Sequence, residues 1–200
     1  MRCFELVLAS KKTRFEELAR NVESCQACML CSGVKHRVMG EGALDSRVVF
    51  VGEAPGRIED NTGRPFVGSA GKLLDRLLAK AQLSRADVFI TNVVRCRPPG
   101  NRRPKRGEAE ACSGHLMRLL EIIQPEVIAP MGNSAIEHIF EAYSLEEGVI
   151  GDVHGKAYRA WAPWGSVIVY PLYHPAAAIY NRKLLGELEI DMEGLATLLG

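Results

Sequence analysis

Apolar residues recur at helical spacing over residues 13–24, where Phe15, Leu18, Ala19 and Val22 share one face of an amphipathic helix. Further along, the pattern changes to short, unbroken apolar runs. Residues 48–51 form a β-branched run stopped by Gly52, and 88–94, 127–131 and 167–171 repeat the theme. Runs of this length without alternation predict strands buried on both faces, as in a parallel sheet. Helical patterns separate them. One starts at Ser69, read as the N-cap, and runs through Leu73, Leu74, Leu77 and Leu78. Others cover 108–123 and 133–140, and a terminal helix starts near Ile190. This alternation predicts an open, mostly parallel sheet covered by helices on both faces. Ligands bind such sheets beyond the carboxyl ends of the strands. The loops 52–68, 92–106 and 173–182 all follow strands, which puts them on one rim.

Two hundred residues suit a single domain over 1–200 with a real core. The apolar runs are too short to span a membrane, and the N-terminus lacks a leader pattern, so a cytoplasmic protein is expected. Basic and acidic side chains nearly balance, 25 against 24, which does not advertise a polyanion binder. Their distribution says more. Residues 95–106, RCRPPGNRRPKR, hold Arg95, Arg97, Arg102, Arg103, Lys105 and Arg106 and no acid, a local patch able to dock a phosphate backbone. Six cysteines without a secretion signal point to metal, redox chemistry or burial rather than disulfides. Cys25, Cys28 and Cys31 form a C-x2-C-x2-C group, Cys96 and Cys112 lie downstream, and Cys3 stands alone as a bystander.

Three rim positions carry chemistry. GEAPG at 52–56 leaves a strand through glycines that let backbone amides approach a ligand, and Phe66 in the following loop is a candidate stacking platform. Asn92 ends a strand with a carboxamide, donor and acceptor together, able to pair with a base edge. His174 in Tyr-His-Pro can donate to a developing anion. Singly, each reads as an ordinary turn or core residue; the three on one rim are harder to dismiss.

The combination GEAPG, IED, TGRPFVGSAG, TNVVRCRPPGNRRP and YHPAAAIYN resembles the family 4 uracil-DNA glycosylases, over about residues 22–199. The resemblance implies a three-layer α/β/α fold with a central four-stranded parallel sheet, and excision of uracil from DNA in base-excision repair. It implies a structural [4Fe–4S] cluster on Cys25, Cys28, Cys96 and Cys112, within a cluster-binding segment about 13–40 that includes the N-terminal helix. Zinc is the chemical alternative for four cysteines, and Cys31 an alternative to Cys28. Substrate contacts map to Glu53, Ala54, Glu59, Phe66, Asn92 and His174. His174 is then the catalytic donor, and Glu59 excludes the methyl group of thymine.

The best-known branch of that superfamily carries an Asp where Ala54 stands, so Glu53 and Asp60 are the candidates for water activation. Arg97, Arg102, Arg103, Lys105 and Arg182 are expected on the DNA backbone, with Ile179 or Tyr180 as a wedge. A monomer acting on uracil-containing DNA is expected, with a sliding-clamp contact left open. Two other readings stand beside turnover: covalent trapping, which in another branch uses a histidine absent from 102–106 here, and non-catalytic recognition of uracil.

Overall fold

The computed structural model describes residues 2–200, with side chains from Ser10 onward, so Cys3 lies outside the described side chains. Helix α1 (Arg2–Glu23) leads through a 3-10 turn (Met29–Gly33) to β1 (Glu41–Gly42) and β2 (Val48–Gly52). Helices α2 (Arg57–Thr62) and α3 (Ser69–Lys80) precede β3 (Phe89–Asn92), and α4 (Arg106–Ile123) precedes β4 (Val127–Pro130). Helices α5 (Asn133–Ala142) and α6 (Ile150–Val153) lead to the hairpin of β5 (Tyr158–Ala162) and β6 (Gly165–Val169). The chain closes with α7 (Pro175–Ala178) and α8 (Arg182–Leu199).

The sheet order is β1-β3-β2-β4-β6-β5. Its centre is the expected set of four parallel strands, β3-β2-β4-β6. Antiparallel β1 and β5 extend it at the edges, making six strands rather than four. Neither edge strand shows a continuous apolar run: β1 has two residues, and β5 buries only Ala160 fully. Every residue of β2, β3 and β4 is buried, which is why these read as unbroken runs.

Alternate side chains feed two cores. Val49, Val51, Phe89 and Ile128 pack beneath α1, α4 and α5 with Leu18, Leu116, Leu120 and Ile136. Val48, Phe50, Ile90 and Ala129 pack beneath α3, α7 and α8 with Leu74, Leu78, Ala178 and Leu195. Lys11 ties α1 to the end of α4 by donating to the Ile123 carbonyl (2.6 Å), where the helix dipole favours a cation. Among the described residues, no helix is long and apolar enough to cross a membrane.

Three sequence expectations are corrected. The N-cap of α3 is Gly68 and Ser69 is its first helical residue, and the first rim loop contains α2. Helix α8 starts at Arg182, well before Ile190, because Asn181 Oδ1 accepts from the amides of Lys183 and Leu184.

The start of α3 also fixes the loop ahead of it. A β-carbon on Gly71 would overlap the Phe66 carbonyl, so only glycine lets this loop lie on the helix. Phe66 itself sits at φ 50°, a left-handed conformation that costs a bulky residue about 1–3 kcal/mol. We predict that Gly71→Ala lowers unfolding free energy by about 1–3 kcal/mol, read from denaturant midpoints at constant slope, and displaces Phe66.

Candidate active site

Hydrogen bonding between neighbouring strands continues past their formal ends and draws the rim loops together. Val93 N donates to Gly52 O (2.8 Å), Met131 N to Val51 O (2.8 Å) and Gly132 N to Leu172 O (2.8 Å). They enclose a cleft of about 610 Å³. Glu53, Ala54, Glu59, Phe66, Asn92 and His174 all line it, as do Arg102 and Arg103.

The floor is Asn92, 1% exposed, whose Oδ1 has no hydrogen-bond partner among the described residues. A buried acceptor left bare is costly unless a ligand satisfies it. A β-carbon on Gly52 would stand 2.5 Å from both Asn92 Oδ1 and Phe66 Cζ, so the first glycine of GEAPG makes room for both groups. The Phe66 ring lies 5.6 Å from that of His174, at 33°.

Phe66 keeps its strained backbone because both sides of the loop are held. Arg85 donates to the carbonyls of Pro65 (3.1 Å) and Phe66, while its Nε pairs with Asp75. Glu59 Oε1 accepts from the amides of Val67 (2.9 Å) and Gly68 (2.8 Å). Glu59 is therefore a wall of the cleft and a clamp on the Phe66 loop at once.

His174 caps α7, its Nδ1 accepting from Ala176 N (3.1 Å). That bond assigns the ring proton to Nε2. Burial lowers its pKa to about 4, so at neutral pH it is an uncharged imidazole with one N–H to donate.

Asp60 is not in the cleft. It is 5% exposed on α2, and its Oδ1 accepts from the amides of Lys35 (2.9 Å) and His36 (3.3 Å), anchoring the segment after the cysteine group. The expectation that it activates water is corrected on this geometry, leaving Glu53 as the carboxylate in the first rim turn.

The basic loop is also less free than its sequence suggests. Arg95 is fully buried. Arg102 pairs with Glu108 through two bonds (2.8 and 2.7 Å), Arg103 with Glu137, and Arg106 with Glu110 and Glu141. The Arg102 guanidinium is the main reason the Glu108 carboxyl falls to about 2. Arg97 bonds Asn101 (2.7 Å), while Lys105 and Arg182 are exposed. Met131, Gly132, Asn133 and Ser134 also line the cleft and escaped the sequence reading, although β4 ends there as the other strands do.

Cys25, Cys28, Cys31, Cys96 and Cys112 line a second, small cavity. Among the described residues no three His, Cys, Asp or Glu side chains are placed to hold a metal ion, so the cysteines share a cavity without forming a ready coordination shell. Burial and the neighbouring Cys112 push the Cys96 thiol up to about 12. The surroundings nonetheless suit an anionic thiolate group. Nε and Nη2 of Arg95 and Nε of Arg37, both lining residues, are buried donors without partners among the described residues.

The comparisons with known proteins agree with this architecture. The model of the family described as the uracil DNA glycosylase superfamily matches residues 39–192. The chain belongs to that superfamily. It is 45% identical over 186 residues to the type-4 uracil-DNA glycosylase of Archaeoglobus fulgidus, covering 92% of this chain and 93% of that one. It is 46% identical to the type-4 enzyme of Saccharolobus solfataricus, covering 87% and 81% of the two chains. A type-5 enzyme of Pyrobaculum aerophilum is more distant, at 32% over 159 residues, covering 72% and 67%. Within the superfamily, the chain's place is with the type-4 proteins.

Two predictions follow from the geometry. Asp60→Ala removes the acceptor of the Lys35 and His36 amides, costing about 0.5–1.5 kcal/mol in chemical denaturation, yet changes the turnover of folded protein by less than about twofold. The second concerns His174, whose folded pKa lies below its ordinary 6.5. The unfolded chain therefore takes the proton first, and the stability His174 contributes is whole above pH 6.5 and lost as pH falls towards 4. Denaturation at pH 7 and pH 5 should show wild type losing more stability than His174→Gln.

Proposed function

We propose that the chain hydrolyses the N-glycosidic bond of a flipped-out deoxyuridine, releasing uracil and leaving an abasic site for base-excision repair. It is a uracil-DNA glycosylase, and the observation that carries the assignment of its pocket is the bare, buried Asn92 Oδ1 in the cleft that Phe66 and His174 also line. Uracil offers an N3–H donor beside its O4 acceptor, the complement of a carboxamide; cytosine presents the opposite polarity there. The base must leave the stack to reach this floor, and Phe66 stacks on it when it does.

Bond breaking leaves a cation-like sugar and a uracil anion. A donor aimed at O2 that strengthens as charge builds lowers the barrier, and the Nε2–H of neutral His174 is suited to that role. Being neutral, it supplies a hydrogen bond without surrendering its proton to the leaving base. Ala54 lines the same cleft and offers its backbone amide to a base carbonyl, and Glu53 orients water toward the sugar; the developing cation lessens the need for a strong base. Glu59, pinned by two amides, excludes the thymine methyl.

Cys25, Cys28, Cys96 and Cys112 are the proposed ligands of a [4Fe–4S] cluster, with Cys31 outside the set. Cys25, Cys28 and Cys112 are each close enough to raise the Cys96 thiol electrostatically, which supports this choice. The cluster would supply cross-linking between the N-terminal segment and the loop after β3. Arg97, Lys105 and Arg182 take phosphates on a single DNA duplex, with Arg102 and Arg103 joining by exchanging acid for phosphate. Tyr180, 97% exposed between α7 and α8, is the wedge. The protein acts as a monomer.

Incubation with duplexes carrying U:G, U:A or T:G pairs tests this reading. Free uracil and an alkali-labile abasic site are expected from the first two only. A stable protein–DNA adduct would favour trapping, and binding without release a non-catalytic recogniser; either overturns it. His174→Ala should lower kcat by about 10²–10³-fold with DNA affinity nearly unchanged.

A further inference from the structure

Arg95 heads the largest side chains buried below 2% exposure, and it reaches from the cysteine cavity, which it lines, to the backbone of a cleft-lining residue. Its Nη1 donates to the Thr91 hydroxyl (2.7 Å) and to the backbone carbonyl of Asn92, the residue on the cleft floor. The same side chain lines the cysteine cavity, and its Nε and Nη2 have no hydrogen-bond partner among the described residues. A guanidinium does not give up its proton, so a full positive charge is buried here with donors to spare.

The acid among the lining residues is already engaged. Glu108 lines the same cavity, but its two oxygens accept from Arg102 and from the Lys105 amide. What remains beside Arg95 in that cavity is the cysteine group, including Cys96, its neighbour in the chain, and Cys112. Arg37, on the other wall, donates to the Cys25 carbonyl (3.2 Å) and leaves its own Nε bare. Buried Arg95 and half-buried Arg37 thus flank the thiols, and among the described residues lining this cavity no carboxylate is left to neutralise them.

We propose that Arg95 is the internal counter-ion of the cysteine-held cluster and, through Nη1, the positioning residue for Asn92. The inference rests on the cluster reading given under Proposed function. An iron–sulfur group on four thiolates is anionic, and it answers the unused donors of Arg95 and Arg37. With one edge of the guanidinium held by that anion, the other edge fixes the carbonyl of Asn92 and the hydroxyl of Thr91. The cluster then serves base recognition without touching DNA, because its charge holds the side chain that holds the reading residue. Nearby positive charge and N–H bonds to sulfur also favour the reduced cluster, so Arg95 sets part of its potential.

The test uses purified holoprotein of wild type, Arg95→Lys and Arg95→Met. The readouts are iron and acid-labile sulfide per chain, the cluster's reduction potential, and kcat and KM for uracil release. Arg95→Met should lose most of its iron. Arg95→Lys keeps the charge but has no fork, so one ammonium cannot serve the cluster and Asn92 together. It should retain iron, show a more negative potential, and lose about tenfold in kcat/KM for uracil, as expected for lost hydrogen bonds to one strand end. Wild-type potential or wild-type kinetics in Arg95→Lys overturns the proposal, even if Arg95→Met fails to fold. Wild-type protein purified without iron and sulfide overturns the cluster reading itself, which the wild-type sample alone reveals.

Discussion

Residues 91–96 are buried along their whole length, and both functional regions hang from them. As this segment leaves β3 it holds the first rim turn from one side, through Val93 N to Gly52 O (2.8 Å) and Val94 N to Glu53 O (3.2 Å). From the other side it holds the connector after the cysteine group, through Val38 N to Arg95 O (2.8 Å) and Thr91 Oγ1 to Met39 O (3.0 Å). Its own side chains then divide: Asn92 floors the cleft, while Arg95 and Cys96 line the cysteine cavity. Buried backbone with its polar groups paired has little freedom to shift, so the two regions keep a fixed relation.

Rigidity is the common feature of the cleft. Phe66 occupies a conformation it would not choose; Arg85, Glu59 and the close packing on Gly71 oppose its relaxation, while the absent β-carbon of Gly52 leaves space for its ring. His174 is held by its capping bond in one tautomer and by burial in one charge state. Asn92 is left with an acceptor that no described residue uses. A site whose groups are fixed before the base arrives pays little reorganisation when charge develops on it.

Charge shows most clearly where linear sequence misleads. The run 95–106 contains no acid, yet Glu108 and Glu110 on α4, and Glu137 and Glu141 on α5, reach back to engage Arg102, Arg103 and Arg106. The run's first cation, Arg95, is buried and lines the cysteine cavity instead of meeting water. Asp60 misled in the same way: beside the glycine-rich turn in sequence, it points back to the amides of Lys35 and His36.

Sequence by itself determined the central sheet, because strands buried on both faces must be written as unbroken apolar runs, and β2, β3 and β4 are. It also determined the rim and the groups Phe66, Asn92 and His174, since motifs that follow parallel strands emerge on one edge. The edge strands β1 and β5 and the early start of α8 were beyond it; the first are too short or too exposed to leave a pattern, and the last was announced only by Asn181. Tertiary structure alone decided which charges are spent and which are free. Asp60 reaches amides 24 and 25 residues back, and Glu137 and Glu141 come from another helix to Arg103 and Arg106; such pairing across the fold leaves no periodic mark in a sequence.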